Sequence, residues 1–483
     1  FGKKQEWKDG AYVDTDEDNQ INDVHPAWTK KPSELKDEDY ISFYHQLYPQ
    51  TFEEPLFWIH LNVDYPFNLT GILYFPKVKN QMELQRNKIQ LYANQVFVTE
   101  DVEGIVPEYL TLLHGVIDSP DIPLNVSRSY LQSDAQVKKI SNHISKKVAD
   151  RLDELFRNER SLFEEKWESL KVFVQYGMLS DEKFYDRAVK FDLVTDIDGK
   201  HFTLDEYRTL TEGEQTDKEG QLVWLYTNDR NSQYTAIERA KAKGYSVLLL
   251  DGPLDVHAVS QLEQKLEKTR FVRVDSDSID KLIAKDEQRA VSLSDVEQKA
   301  LKALFEGRLP REEKRNYSVS LEALGADADA VLITQGEFMR RMQEMARLQP
   351  GMNFYGELPE GYNVVLNTEH PLIQRLLASE KEVVEPKLST LRAELQEQSE
   401  LVEAARTVRS AKKPEEVSVA EREELDALTS KQAELEGKIS EEIKKFGSEE
   451  LLVGQLVDLA LLGNGLLSGE ALAAFIRRSQ QLL

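Results

Sequence analysis

The sequence predicts a multidomain chain that combines α/β and α+β architecture. Its 483 residues exceed what one hydrophobic core usually organises. Short apolar strands alternate with helical segments over residues 191–285, and charged helical segments with heptad spacing fill residues 382–446. The predicted parts are a large α/β domain (1–135), a helical connector (136–190), a small three-layer α/β/α domain (191–285) and an α+β dimerisation domain with a long helical hairpin (289–483).

The first domain is predicted from apolar strands that follow a polar beginning. Residues 1–39 are polar and carry turn signals. Within them, "DTDEDN" (14–19) lacks the glycine and the distal glutamate of a calcium loop, so we interpret it as a solvated turn. Strands are expected at 56–63, 71–75 and 89–98, and a short apolar helix inside 106–119.

The connector is predicted from helical periodicity. Apolar residues recur every three or four positions at Val137, Ile140, Ile144, Val148, Leu152 and Phe156. That spacing places them on one face of a long amphipathic helix. Two further helices are expected at 160–178 and 181–190.

The small domain is predicted from a strand–helix–strand unit. A strand at 222–226, a helix at 233–243 capped by Gly244, and a fully apolar strand at 245–250 indicate parallel strands. A helix at 256–267 and a strand at 271–274 extend the sheet. The unit has no glycine-rich turn, which disfavours an independent nucleotide-dependent enzyme.

The last domain is predicted to begin with a helix near 294–309. Strands at 316–322, 330–334 and 363–367 alternate with helices at 336–348 and 371–380. In the hairpin at 382–446, Gln398 and Gln432 are nearly equidistant from the break at Pro414. We hypothesise that the two amides face each other and fix the register of the hairpin.

Residues 448–483 are predicted to form two apolar helices separated by Gly463-Asn464-Gly465. Both helices are too apolar for an exposed hairpin, so we expect them to pack across a two-fold axis in a homodimer. The alternative is that they fold back on their own domain. The predicted dimerisation residues are Leu451, Leu452, Leu456, Leu459, Leu462, Leu472, Phe475 and Ile476.

Composition excludes several classes of function. A net charge of −25 argues against nucleic-acid binding. The absence of cysteine removes disulfides and thiolate metal sites and fits a reducing compartment, so we expect a cytoplasmic protein. No apolar run is long enough to cross a membrane, no histidine pair has metal-ligand spacing, and no phosphate loop is present. The sequence therefore predicts no self-contained active site and no metal site.

One stretch has the features of an anion site. In "PLNVSRSYLQ" (123–132), Ser127 or Asn125 can cap a helix whose first N–H groups favour an anion. Arg128 adds a planar cation suited to phosphate, and Gln132 lies one turn on along the same face. From these residues alone, a solvated surface arginine or an ion-pair partner is favoured over an anion ligand.

At this stretch the sequence resembles the heat-shock-protein-90 chaperone family. The matching segments include "EEPLFWIHL" (53–61), "VPEYLTLLHGVIDSPDIPLNVSRSYLQ" (106–132), "GYSVLLLDGPLD" (244–255) and "TEHPLIQRLL" (368–377). The resemblance implies that these residues form the family's middle and C-terminal domains. None of the motifs of the family's N-terminal ATP-binding domain is present, so we expect no activity from this part alone.

The resemblance also assigns residues to roles. It implies that Arg128 and Gln132 contact the γ-phosphate of ATP, bound with Mg in that N-terminal domain of the full-length ATPase. It further implies that clients, which are unfolded or partly folded proteins, contact the segment "ITQGEFMRRMQEMARL" (333–348). The candidate client-binding residues are Phe338, Met339, Met342 and Met345, with Phe52 and Trp28 as weaker candidates.

Two alternatives remain open. The apolar side chains of the client segment also fit a stripe that faces the protein core. The whole chain also fits a coiled-coil dimeric scaffold that binds one fixed protein partner. Methionine thioethers adapt to many unrelated apolar surfaces, but the residues alone support the core-facing stripe and client binding equally, and it is the resemblance that favours client binding.

Overall fold

The computed structural model describes residues 2–8, 10–19, 23–77, 88–102, 105–122, 135–285, 289–338, 340–341, 359–410 and 418–482. The chain divides into two compact units. Unit 1 comprises Phe1–Val194, His201–Tyr207 and Gly252–Gln261, and unit 2 comprises Thr195–Lys200, Arg208–Asp251 and Leu262–Leu483. The architecture is mixed α/β and α+β, as the sequence predicted.

The elements up to the end of the helical connector belong to unit 1. In chain order they are β1 (Gly2–Lys8), β2 (Ala11–Asn19), α1 (Asp37–Leu47), β3 (Phe57–Val63), β4 (Leu69–Phe75), β5 (Lys88–Ala93), β6 (Val96–Thr99), β7 (His114–Asp118), α2 (Ala135–Asn158), α3 (Arg160–Ser180) and α4 (Glu182–Ala188). Short 3-10 helices lie at Ala27–Thr29, Pro32–Glu34 and Glu108–Leu112.

A five-stranded mixed sheet forms the centre of unit 1. Its strand order is β3-β4-β7-β5-β6, and only β5 and β7 run parallel. On one face, α1 contributes Tyr40, Phe43 and Tyr44 to a buried aromatic cluster. On β4, the ring of Phe75 contacts the edge of Phe173 from α3, with ring centroids 5.4 Å apart. Helices therefore supply most of the apolar surface that covers this sheet.

Two expectations for this unit were wrong. Residues 14–19 lie in β2, which pairs antiparallel with β1, rather than in a turn. Almost every residue of this hairpin is exposed on both faces, so no apolar alternation reveals its strands. Residues 89–98 form two strands because Asn94 and Gln95 turn the chain with φ of 51° and 63°. Inside 106–119, the expected short helix is confirmed as the 3-10 helix Glu108–Leu112, and the fully buried strand β7 follows it.

Most of the remaining elements belong to unit 2. They are β8 (Leu193–Thr195), β9 (His201–Thr203), α5 (Leu204–Gln215), β10 (Leu222–Thr227), α6 (Tyr234–Ala242), β11 (Val247–Leu249), α7 (Asp255–Lys265), β12 (Thr269–Arg273), α8 (Ile279–Leu282), α9 (Asp295–Glu306), β13 (Arg315–Glu322), β14 (Val331–Thr334), β15 (Glu360–Asn367), α10 (Pro371–Val383), α11 (Glu385–Ser410), α12 (Val419–Glu449), α13 (Leu451–Gly463) and α14 (Gly469–Leu482). Of these, β8, β9, α5 and α7 include residues of unit 1.

The predicted parallel strand–helix–strand unit is confirmed. The order β11-β10-β12 is fully parallel. Val223 and Leu225 of β10 pack against α6, whereas the side chain between them, Trp224, donates from Nε1 to Thr211 Oγ1 of α5 at 2.9 Å. Because successive strand residues face opposite sides, helices lie on both faces and the predicted three layers are present.

The last part of unit 2 is α+β, as predicted. In the sheet β13-β15-β14, β13 runs parallel to β15 and β14 runs antiparallel to it. A single apolar core joins this sheet to α9, α10, α12 and α13. Gln398 and Gln432 both lie between the two arms of the hairpin, and each bonds to the opposite arm rather than to the other glutamine. Gln398 Nε2 donates to the carbonyl oxygen of Leu428 at 2.9 Å, and Gln432 Nε2 reaches Ser399 Oγ at 3.5 Å, so each amide ties one arm to the other separately.

Candidate functional site

The residues predicted to contact phosphate lie between two firmly held elements. Arg128 and Gln132 fall outside the described residues, and so do Ser127 and Asn125. On the upstream side, β7 ends at Asp118, whose Oδ2 accepts from Trp28 Nε1 at 3.1 Å and from the backbone N–H of Gln95 at 3.0 Å.

The segment that follows β7 is also bonded to the turn before β4. Ser119 Oγ donates to the carbonyl oxygen of Asn68 at 2.6 Å, and the N–H of Asn68 donates to Asp121 Oδ2 at 2.7 Å. On the downstream side, Val137 and Ile140 of α2 are fully buried. The residues on both sides of the stretch 123–134 are therefore fixed to the core of unit 1.

The two weaker client candidates occupy opposite environments. Trp28 is only 7% exposed and packs in the aromatic cluster beneath α1, where its indole N–H holds Asp118. This position gives Trp28 a packing role. Phe52 is 95% exposed in the loop after α1.

The main client candidate is exposed at the start of its segment. Phe338 is 75% exposed, and residues 337–338 and 340–341 are helical. Met339, Met342 and Met345 fall outside the described residues. The predicted helical start at this position is therefore confirmed, and its first aromatic side chain faces solvent.

A cluster of charged side chains holds this first helical turn, and we call it the Glu337 node. Glu337 Oε1 accepts from Tyr226 Oη at 2.7 Å and from Arg341 Nε at 2.6 Å. Glu337 Oε2 accepts from Arg340 Nη2 at 2.8 Å and from the backbone N–H of Arg273 at 3.2 Å. One carboxylate thus takes four hydrogen bonds.

Electrostatics in the Glu337 node favour the charged carboxylate. Burial by itself raises the pKa of Glu337, but the positive charges of Arg340 and Arg341 outweigh burial and hold that pKa below its usual value. Burial also raises the pKa of Tyr226 well above 10, with Glu337 adding to the effect, so the phenol stays a donor. Sequence reasoning missed this node, although Glu337, Arg340 and Arg341 have the i, i+3, i+4 spacing of a helical ion-pair cluster.

The predicted dimerisation residues divide between a buried and an exposed set. Leu456 and Phe475 are buried in the core of unit 2, and Leu452 and Leu472 pack partly against it. In contrast, Leu451, Leu459, Leu462 and Ile476 are exposed.

The two C-terminal helices are fixed to each other by Arg478. Its Nη2 pairs with Asp458 at 2.5 Å and its Nε donates to Gln455 Oε1 at 3.1 Å. These bonds fix α13 relative to α14, and with them the relative positions of the exposed leucines and Ile476.

Two features are absent from the described residues. Within those ranges, no group of three or more His, Asp or Glu side chains is placed to hold a metal ion. Across the same described part, no helix is both long and apolar enough to cross a membrane.

Comparisons with known proteins identify the family. A family model described as Hsp90 protein matches residues 3–445. The chaperone protein HtpG of Porphyromonas gingivalis (strain W83) is 66% identical over 483 residues, which is all of this chain and 70% of that protein. HtpG of Bacteroides fragilis (strain 638R) is 56% identical over the same length, covering 71% of that protein. HtpG of Halalkalibacterium halodurans is 30% identical over 368 residues, covering 72% of this chain and 55% of that protein. The chain belongs to the Hsp90 family of chaperones.

Proposed function

We propose that this chain is the client-binding and dimerising part of an ATP-driven chaperone clamp. The observation that carries the proposal is Phe338, a large apolar side chain that is 75% exposed on a helical turn held by four hydrogen bonds to Glu337. The exposed ring is therefore available for apolar contacts with another protein. An unfolded protein offers such contacts, because its apolar residues are exposed.

The client proposal extends along the segment. Met342 and Met345 follow Phe338 at the spacing of one helix face, and Met339 flanks it. Their thioethers suit apolar surfaces of varied shape. Phe52, exposed on unit 1, is a second proposed contact.

Client binding is tested with Phe338→Ala against Val296→Ala as the matched control. Val296 is an exposed apolar residue of α9 in the same unit. We expect Phe338→Ala to weaken binding of reduced, carboxymethylated α-lactalbumin at least fivefold, because burial of one phenylalanine contributes about 1–2 kcal/mol. Val296→Ala should leave that affinity unchanged. Equal affinity for both variants would rule out Phe338 as a client contact.

Dimerisation is proposed to use the exposed residues Leu451, Leu459, Leu462 and Ile476. Four large apolar side chains exposed on a fixed helix pair are typical of a covered surface. Light scattering should give a dimer mass for the wild-type chain and a monomer mass for Leu459→Asp. Leu210→Asp, at an exposed leucine of α5, is the control and should stay dimeric. If the Leu459→Asp variant still forms a dimer of unchanged stability, Leu459 does not lie in the dimer interface.

The ATP link is proposed through Arg128 and Gln132. They would contact the γ-phosphate of Mg-ATP held by an N-terminal domain outside these 483 residues, and the chain alone would not turn over ATP. The fixed residues on either side of the stretch 123–134 support this role, since a cation that stabilises phosphoryl transfer must be placed accurately. We propose that the protein acts in the cytoplasm.

A scaffold for one fixed partner is the second candidate, and one observation favours it. On α11, Leu401, Ala404 and Val408 are exposed at i, i+3 and i+7 and form an apolar stripe. A partner helix could cover this stripe. Saturable binding of one protein, abolished by Leu401→Asp, with no binding of carboxymethylated α-lactalbumin, would favour the scaffold over the chaperone.

A further inference from the structure

The Glu337 node joins the proposed client segment to the small α/β/α domain. Tyr226 and Arg273, which bond to Glu337, are paired neighbours near the carboxyl ends of the parallel strands β10 and β12. From the same turn, Arg341 Nη1 donates to Glu263 of α7 at 2.7 Å, and Arg341 Nη2 donates to the carbonyl oxygen of Phe271 in β12. The first turn of the segment thus bonds to three elements of that domain.

The chain leading into the segment is tied to the same place. The N–H of Gln335 donates to the carbonyl oxygen of Asp275 at 3.2 Å, and Arg273 Nη2 donates to Gln335 Oε1 at 3.2 Å. Residues on both sides of Glu337 in the sequence therefore make hydrogen bonds to this domain. A single ion pair would leave the turn free to rotate, whereas donors from several directions fix its orientation.

The node is mostly shielded from water. The side chains of Arg340 and Arg341 are 4% and 15% exposed, and that of Glu337 is 23% exposed. Charge-assisted hydrogen bonds in such surroundings are weakened little by salt. The adjacent side chain, Phe338, is by contrast largely in water, so the node and the exposed ring lie on different sides of one turn.

We infer that Glu337 is a positioning residue that fixes the first turn of the client segment to the small α/β/α domain and sets the direction of Phe338. This inference rests on the proposed client-binding function. It predicts that the segment moves together with β10 and β12, so that client contacts follow any displacement of this domain. Glu337 itself contacts no client.

The test reads the mobility of the segment separately from client binding. The chain has no cysteine, so Phe338→Cys and Val296→Cys each give a single site for a fluorescent label. In each labelled chain, Glu337→Ala removes the node, and Tyr226→Phe removes one donor while keeping the ring. Client affinity is measured with carboxymethylated α-lactalbumin on unlabelled Glu337→Ala, Tyr226→Phe and Phe338→Ala chains.

We expect Glu337→Ala to lower the label anisotropy at position 338 by at least a third and to leave it unchanged at position 296. Tyr226→Phe should give a smaller drop at position 338. Client affinity should fall at least threefold in Glu337→Ala.

Three outcomes overturn the inference. The first is unchanged anisotropy at position 338, and the second is an equal loss at both labelled sites, which indicates general loosening. The third is that Glu337→Ala lowers the anisotropy at position 338 but leaves client affinity unchanged, although Phe338→Ala weakens client binding. If Phe338→Ala leaves client affinity unchanged, the proposed client function fails instead, and the anisotropy alone then decides whether Glu337 anchors the segment.

Discussion

Replacing Asp192 by Asn should change how the stability of the protein depends on pH. Asp192 is 5% exposed, where the chain leaves α4 within unit 1. The nearby Lys171 donates from Nζ to Asp255 Oδ2 at 2.8 Å, and Gln175 Nε2 donates to Asp255 Oδ1 at 2.7 Å. Burial raises the pKa of Asp192 to about 7; Lys171 opposes this rise and the negative charge of Asp255 adds to it.

Whether the free energy of unfolding rises or falls with pH depends on which state, folded or unfolded, holds the proton. The unfolded carboxyl group has a pKa of 3.8, so between that pH and about 7 the folded protein keeps a proton that the unfolded chain has lost. The free energy of unfolding therefore falls as pH rises through this window. A difference of about three pH units at about 1.4 kcal/mol per unit gives an upper value of about 4 kcal/mol.

Urea unfolding of the wild type and of Asp192→Asn at pH 4 to 8 measures this effect. Asparagine keeps the shape of the protonated acid, so we expect equal stability near pH 4 and a more stable variant at pH 8, by up to about 4 kcal/mol. The exposed carboxylate Asp150 gives the control, because Asp150→Asn should change stability by less than about 0.5 kcal/mol. If the stability difference between Asp192→Asn and wild type does not grow from pH 4 to 8, Asp192 does not keep its proton in the folded protein over this range.

Three further predictions concern catalysis, packing and register. In a chain joined to a nucleotide-binding N-terminal domain, Arg128→Ala should lower ATP turnover about 10³-fold or more with little change in nucleotide affinity, and wild-type turnover would contradict the assignment. Gly447→Ala places a methyl group 2.1 Å from a carbonyl oxygen of α9 and should cost about 1–3 kcal/mol in urea unfolding, whereas Gly437→Ala on the same helix meets no atom within 4 Å and should not destabilise. Replacing both Gln398 and Gln432 by Leu should increase register heterogeneity between α11 and α12, measured by distances between spin labels on the two arms; an unchanged distance distribution would remove the register role.

Local periodicity was enough to predict most helices and the parallel sheet. Apolar residues recur at helical spacing from Val137 to Phe156. The uninterrupted apolar run around Val247 predicts a buried strand, and Val247 is buried. The β1–β2 hairpin was missed because its side chains face water on both sides, so burial leaves no pattern in the sequence. The turn at Asn94 and Gln95 was missed because it lacks the glycine that usually marks a left-handed turn.

The site was predictable only where its residues are neighbours in sequence. Phe338 and the methionines after it show their spacing directly. The Glu337 node cannot be read in this way, since Tyr226, Glu263 and Arg273 come from different elements up to 111 positions away from it. The buried position of Trp28 likewise depends on a bond to Asp118, 90 residues later. Long-range contacts of this kind follow from the fold and leave no local signal.

Site-specific photo-crosslinking at position 338 tests the client-binding claim most directly. A photoreactive phenylalanine analogue replaces Phe338 in one chain and exposed Val296 in another, and each chain is irradiated with carboxymethylated α-lactalbumin. If Phe338 contacts clients, we expect a covalent adduct with the unfolded protein from position 338 and none above background from position 296. Adducts of equal yield at both positions, or none at position 338, would contradict it.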